Sequence, residues 1–280
     1  MGTPWLIDTV HLASDQEILF EDGVVIESKP GSGFYVDGVL FKCASLQNVT
    51  LKGYGATLKM RRDLFTSGKP YKPSEFRHAI IIYASRNVKI LGLTIKDAGG
   101  DGIMIGGLTH SSYNHGVLIK DVLITTAYRT AISVISAENL TIDNAVLINP
   151  NGPSPQVGLD FEPGDETQRI VNFAVRHCII MNNKRLGISF PPSGLLTTSK
   201  RERGIPITGV IENFSGDIFG RGAGEQLSKE MSLEFLGHIE LRPDYQNTDR
   251  PTVLVSEMVK DEYEKILDGV LKQLEIADSK

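Results

Sequence analysis

The chain has 280 residues, 41% of them hydrophobic and 22% charged, which excludes a disordered polymer and fits one large or two small globular domains. Lys and Arg number 29 against 34 Asp and Glu, a formal net charge of −5 that argues against a general nucleic-acid binder. No apolar run approaches the ~18 residues of a membrane-spanning helix, and the start, Met1-Gly2-Thr3-Pro4-Trp5, lacks the pattern of a secretory signal.

The 28 glycines are spread along the chain between short Val/Ile/Leu segments, which predicts many strands with frequent turns. In chain order, Asn48-Val49-Thr50-Leu51 is an early strand. A polar, proline-punctuated stretch follows over 61–75 and carries Arg61 and Arg62. Two interleaved series then run through the middle of the chain. One contains Gly102-Ile103-Met104-Ile105, Ala131-Ile132-Ser133-Val134, Gly158-Leu159-Asp160-Phe161 and Gly187-Ile188-Ser189-Phe190. The other contains Asn87-Val88-Lys89-Ile90, Gly116-Val117-Leu118-Ile119, Asn139-Leu140-Thr141-Ile142 and Asn172-Phe173-Ala174-Val175. The leading apolar residues of the first series, Ile103, Ile132, Leu159 and Ile188, are 29, 27 and 29 positions apart.

Each segment alternates apolar and variable residues, the period of a strand with one buried face. The gaps are too short for the crossover helices of a βαβ sheet. The repeat is shorter than a propeller blade and lacks the leucine-rich pattern. These observations predict an all-β, single-stranded right-handed parallel β-helix, a solenoid in which equivalent strands stack. The expected division is 1–215 for the solenoid and 216–280 for a C-terminal extension. A second polar stretch, 191–206, carries Lys200, Arg201 and Arg203 and reads as a surface loop. From Ser256, a plausible N-cap, the apolar residues Val259, Tyr263, Ile266, Leu267, Val270, Leu271 and Leu274 fall at helix spacing. They predict a capping or docking α-helix.

Stacking makes distant residues neighbours, because equivalent positions on successive coils lie about 4.8 Å apart. With Ile80, Ile103, Ile132, Leu159 and Ile188 in one column, His78 meets Asp101, flanked by Arg77 and Arg129. Asp160 and Glu162 project from the same sheet two coils, or about 10 Å, beyond Asp101. Paired carboxyls at such separations can serve as acid and base in glycoside hydrolysis. Asp101, Asp160, Glu162 and His78 are therefore the catalytic candidates, and Arg77, Arg129, Tyr128, Lys184 and Arg201 the substrate-binding candidates. Each also has a plainer reading: a turn aspartate, a solvated carboxylate, a turn cap, or a structural ion pair.

Cys43 and Cys178 form no CxxC pair, so they are read as free buried thiols or one disulfide. No P-loop, dinucleotide-binding glycine motif, GxSxG elbow or HExxH occurs, and no calcium-loop signature supports a carboxylate-bound cation. The expectation is no cofactor and no metal.

The stretches Glu75-Phe76-Arg77-His78, Gly99-Gly100-Asp101-Gly102-Ile103, Arg129-Thr130-Ala131-Ile132-Ser133-Val134 and Gly158-Leu159-Asp160-Phe161-Glu162-Pro163 resemble the pectin-lyase-like superfamily of right-handed parallel β-helix proteins. They are similar to its bacterial polysaccharide-processing members, over about residues 15 to 215. The resemblance implies a polysaccharide or oligosaccharide partner and an extracellular or periplasmic setting. Asp101-Gly102-Ile103 also looks like the first catalytic-region aspartate of polygalacturonase-type hydrolases. The Asp-Asp pair of their next coil is replaced here by Arg129-Thr130. The leading functional expectation is an enzyme that hydrolyses glycosidic bonds in an acidic polysaccharide. The alternatives are a lyase or epimerase that abstracts a C5 proton, with His78, Tyr128 or Lys184 as base, and a non-catalytic glycan-binding or tailspike-like β-helix.

Overall fold

The computed structural model describes residues 3–109, 112–164, 167–191, 210–214, 225–226, 228–229, 235–240 and 256–278. The chain separates into two compact units, Met1–Ser199 and Lys200–Lys280. The expected boundary lay at residue 215.

In the first unit, short strands build three sheets of seven, seven and six strands, and every pairing is parallel. Neighbours within a sheet are three strands apart in the chain, so each winding contributes one strand to each sheet. This arrangement fits a β-helix-like solenoid. The predicted column of Ile80, Ile103, Ile132, Leu159 and Ile188 appears in the register of one sheet, and Phe41, which the predicted series does not include, precedes it. Val49, Val88, Val117, Leu140 and Phe173 pair in succession in another. The third sheet stacks Ile26, Leu58, Ile95, Ile124, Leu147 and Ile180.

These columns meet in one apolar core, in which Ile80, Ile103, Ile132, Leu58, Ile95, Ile124 and Leu147 have no solvent exposure. β-Branched residues suit such strands, since their stiff side chains pack against equivalents on the next coil. The strands are only a few residues long, so each depends on its neighbours above and below. Hydrophobic burial, spread over many equivalent layers, holds the unit together.

The recurrent asparagines have a backbone cause. Asn48, Asn87, Asn139 and Asn172 all adopt φ between 51° and 55°, and Gly116 takes the equivalent place at 69°. Asn tolerates this left-handed conformation better than most residues, and Gly tolerates it best. The side chains form a ladder along the outside: Asn48 Nδ2 donates to Asp15 Oδ1 at 2.7 Å, and Asn87 Nδ2 to Asn48 Oδ1 at 2.8 Å. The ladder continues from Asn172 to Asn139. Asn48 and Asn139, which also open glycosylation sequons, are thus engaged in holding coils together.

The stretch 61–75 packs as a strap on the solenoid. Its short helix, Arg62–Phe65, buries Phe65 against Phe34 with ring centroids 5.4 Å apart. Both cysteines are free.

In the second unit, strands Val210–Phe214 and Phe235–Glu240 pair in parallel. The helix Glu257–Asp278 packs on the second of these. Gly237 at φ 147° leaves room for Ile266, since a Cβ there would stand 3.0 Å from Ile266 Cγ1. Val259 and Ile266 are buried, whereas Tyr263, Leu267 and Leu271 of the predicted stripe are exposed.

Candidate active site

The site begins with sheet register. Met104, Ser133, Asp160 and Ser189 are paired in succession on the strands Ile103–Gly106, Ile132–Val134, Leu159–Phe161 and Ile188–Ser189. They alternate with the core residues and so face outward. Asp101 precedes the first of these strands, in a turn that requires glycine. A Cβ at Gly102 would stand 2.6 Å from Ala131 O, and one at Gly100 would strike the Glu75 carbonyl.

Asp101 is fully buried and lies beneath the surface. Ser133 Oγ donates to Asp101 Oδ2 at 3.0 Å, while Asp101 Oδ1 has no partner. Burial pushes the Asp101 carboxyl up to about 7, against the opposing pull of the Arg129 charge and of its hydrogen bonds. His78 is buried beside it and accepts the Asp101 backbone N–H at Nδ1, 2.9 Å away. The ring proton therefore sits on Nε2. Burial, followed by the Arg129 charge, lowers His78 to about 4. Although Nδ1 is 3.5 Å from Asp101 Oδ2, the two do not form a charged pair, because that nitrogen is acting as an acceptor.

Two coils away, Asp160 and Glu162 line an open cleft of about 660 Å³. Its walls include Arg129, Arg185, Ser189 and Phe190. Burial, reinforced by the charges of Asp160 and Asp101, raises Glu162 to about 7; the Arg129 charge acts against it. Asp160 is also raised by burial, but Ser189 and Arg129 hold it down. The two carboxyls in one cleft thus differ in environment, and Glu162 is poised to carry a proton near neutrality. Arg129 is the local counter-charge. It reaches Glu75 of the strap at 3.3 Å, and its Nε has no partner.

The other candidates are placed differently. Arg77 is buried, and its guanidinium donates to the carbonyls of Phe34, Tyr35 and Lys72 at 2.7–2.9 Å. Arg61 and Arg62 are likewise tied inward, to Glu27 and to Thr126 O. Tyr128 packs against Gly152, and Lys184 is exposed and does not line the cleft. Arg201 lies outside the described residues. Sequence reasoning missed Arg185, which donates to Ser154 Oγ at 2.9 Å, and Ser133. The repeat held the signal for Arg185: it sits three residues before Ile188, as Arg129 does before Ile132 and Arg77 before Ile80.

No family model matches the chain. It is 38% identical over 84 residues to an iron–sulfur cluster carrier protein of Methanocaldococcus jannaschii and 35% identical over 83 residues to that of Methanococcus maripaludis. Each match covers 25% of this chain and 29% of the relative, so the chain spans less than a third of the length of these curated relatives. Among solved structures, a putative glycosyl hydrolase from Parabacteroides merdae aligns over 68% of this chain and 79% of its own. The sequence identity is 15% and the TM-score 0.41.

The expectation that the chain takes no cofactor is corrected by these relatives, which bear the name of iron–sulfur cluster carriers. The described residues do not themselves fit a cluster. The whole sequence has two cysteines. Cys43 is buried in the core, where burial pushes its thiol up. Cys178 donates to Arg176 O at 3.1 Å. Among the described residues no group of three or more His, Cys, Asp or Glu is arranged to hold a metal ion.

Proposed function

We propose that the Met1–Ser199 unit is a right-handed, pectin-lyase-like β-helix that hydrolyses glycosidic bonds in an acidic polysaccharide, in the cleft lined by Asp160 and Glu162. The observation that carries this reading is the pairing of two unlike carboxyls in one cleft. Burial raises both, Glu162 to about 7 with the Asp160 and Asp101 charges adding to it, whereas at Asp160 Ser189 and Arg129 oppose the rise. Glu162 then protonates the leaving glycosidic oxygen, and Asp160 takes the proton of the attacking water. Arg129 and Arg185 supply guanidinium groups for a uronate or sulfate. On this reading the partner is a polymer and the setting is extracellular or periplasmic.

The test is a panel of acidic and neutral polysaccharides, with released oligosaccharides weighed by mass spectrometry. Saturated fragments that disappear in Glu162→Gln and Asp160→Asn support hydrolysis. Unsaturated, ultraviolet-absorbing fragments would indicate a lyase, and binding without fragments a glycan-binding solenoid.

A second reading rests on the curated relatives alone: that part of the chain serves iron–sulfur cluster handling. Iron and acid-labile sulfide measured in the anaerobically purified full chain test it. Both present in stoichiometric amount would support this reading, and both absent would count against it.

A further inference from the structure

Phe76 lies where the strap rejoins the solenoid, just before the strand Ile80–Tyr83. The strap turns its other aromatics inward: Phe65 stacks on Phe34, and Tyr71 packs on Tyr35 and Phe65 with ring centroids 5.3 and 5.5 Å apart. Phe76 is turned outward, with 53% of its surface exposed. Large apolar residues exposed on the first and last strands, such as Trp5 and Ile188, follow from the ends of a solenoid. Phe76 is at neither end. Leaving so large an apolar ring in water forgoes the gain of burial, so a polar residue would suit this position better unless the ring has something to meet.

The backbone beneath the ring is clamped. Glu75 binds Arg129 at 3.3 Å, the Phe76 N–H donates to Ser74 Oγ at 3.1 Å, and the buried Arg77 guanidinium holds three carbonyls. The segment packs against the turn before Asp101, where a Cβ on Gly100 would stand 2.3 Å from Glu75 O and 3.0 Å from Arg77 N. The rings of Phe76 and His78 meet edge to face, with centroids 6.2 Å apart. Phe76 therefore stands beside the carboxyl row, on a rim that Glu75 ties to the cleft-lining Arg129. An aromatic presented so rigidly loses little freedom when it binds, which is what makes such residues good anchors.

We propose that Phe76 is a substrate-contact residue, a platform on which the apolar C–H face of a sugar ring stacks, so that the polymer is gripped along the solenoid axis. The strand after Phe76 and the strand carrying Asp160 are three coils apart, through Ile80, Ile103, Ile132 and Leu159, or about 14 Å along the axis. The stacked sugar is thus not one of the two that share the cleaved bond. It lies further along the polymer, toward the Ile80 coil. Stacking of this kind is indifferent to charge, so Phe76 supplies grip on a long chain while the guanidiniums of the cleft select its acid groups. The role rests on reading the cleft as a polysaccharide site.

The test uses the full chain, whose one tryptophan is Trp5. In the double variant Trp5→Phe, Phe76→Trp the sole indole reports on position 76. The probes are polygalacturonate, alginate, hyaluronate and xylan. At least one of them should shift the indole emission to shorter wavelength as a sugar covers the ring. Calorimetry should show that Phe76→Ala binds that polymer about tenfold more weakly than the wild-type chain, while Phe76→Tyr, which keeps the ring, binds it as the wild type does. A bound polymer that leaves the emission unmoved, equal affinity in Phe76→Ala, or a wild-type chain that binds none of the four overturns the proposal. The two readings can fail separately. Binding that depends on Phe76 but releases no fragments sinks the hydrolase and keeps the platform. Fragments released by a Phe76→Ala variant of undiminished affinity sink the platform and keep the hydrolase.

Discussion

Replacing Asp101 by Asn turns a buried titratable group into a neutral one of nearly the same shape, and the consequence for stability depends on pH. In the folded chain Asp101 ionises at about 7, compared with 3.8 for an ordinary aspartate. Its folded value is the higher one, so folding favours the protonated form. Below about pH 4 the group is protonated in both states and costs nothing. As pH rises from about 4 through 7, the unfolded chain gives up the proton more readily, and stability is lost. The gap between about 7 and 3.8 corresponds to about 4 kcal/mol, reached in full only above pH 7. Asparagine carries no such term, but its amide N–H inherits the unpartnered position of Asp101 Oδ1. That adds a pH-independent cost of about 1–3 kcal/mol. The informative quantity is therefore the change in the mutational effect between two pH values, in which the fixed cost cancels. Urea unfolding of the wild-type chain and Asp101→Asn at pH 4 and pH 8.5 measures it. The variant should gain about 4 kcal/mol relative to wild type on going from the lower pH to the higher. An effect that is the same at both pH values would refute the burial argument on which the site's electrostatics rest.

Other outcomes follow from the same geometry. Activity on a cleaved polysaccharide should fall as pH rises through about 7, because Glu162 loses the proton it donates, and Glu162→Gln should remove that alkaline limb along with turnover. His78 should show no imidazole titration between pH 5 and 8 by nitrogen-15 NMR and should remain protonated at Nε2, since Nδ1 is occupied as an acceptor. Ile132→Ala, in the middle of an unexposed column, should cost about 2–5 kcal/mol in chemical unfolding. Lys89→Ala, on an outward and exposed position two coils away, should change stability by no more than about 0.5 kcal/mol.

The winding of the first unit was legible because its signal is redundant. Alternation along each strand and recurrence from Ile103 to Ile132 to Leu159 to Ile188 both report the same buried column, and the register matches. The asparagines preceding the strands were visible as a pattern, but their left-handed backbone was not. The site was legible only as a neighbourhood. Register brings His78, Asp101, Ser133 and Asp160 to one sheet, yet it cannot tell which lie open to a polymer. Asp101, His78 and Asp160 are all buried; of the three only Asp160 lines the cleft, beside the half-buried Glu162. Arg77 and Arg129 occupy equivalent places in the repeat, but Arg77 finds three backbone carbonyls where Arg129 finds the Glu75 carboxylate. Loop packing decides such differences, and a repeat pattern carries no information about it. Ser133 was passed over for the same reason: a serine on a strand becomes notable only when acids are seen on both sides of it.

The cleft reading is tested most directly by digesting a susceptible acidic polysaccharide in oxygen-18 water and weighing the fragments. Hydrolysis through Asp160 and Glu162 predicts saturated fragments with one heavy oxygen at each new reducing end, and none from Asp160→Asn. Fragments that are unsaturated and unlabelled, or labelled fragments released equally well by the variant, would contradict it.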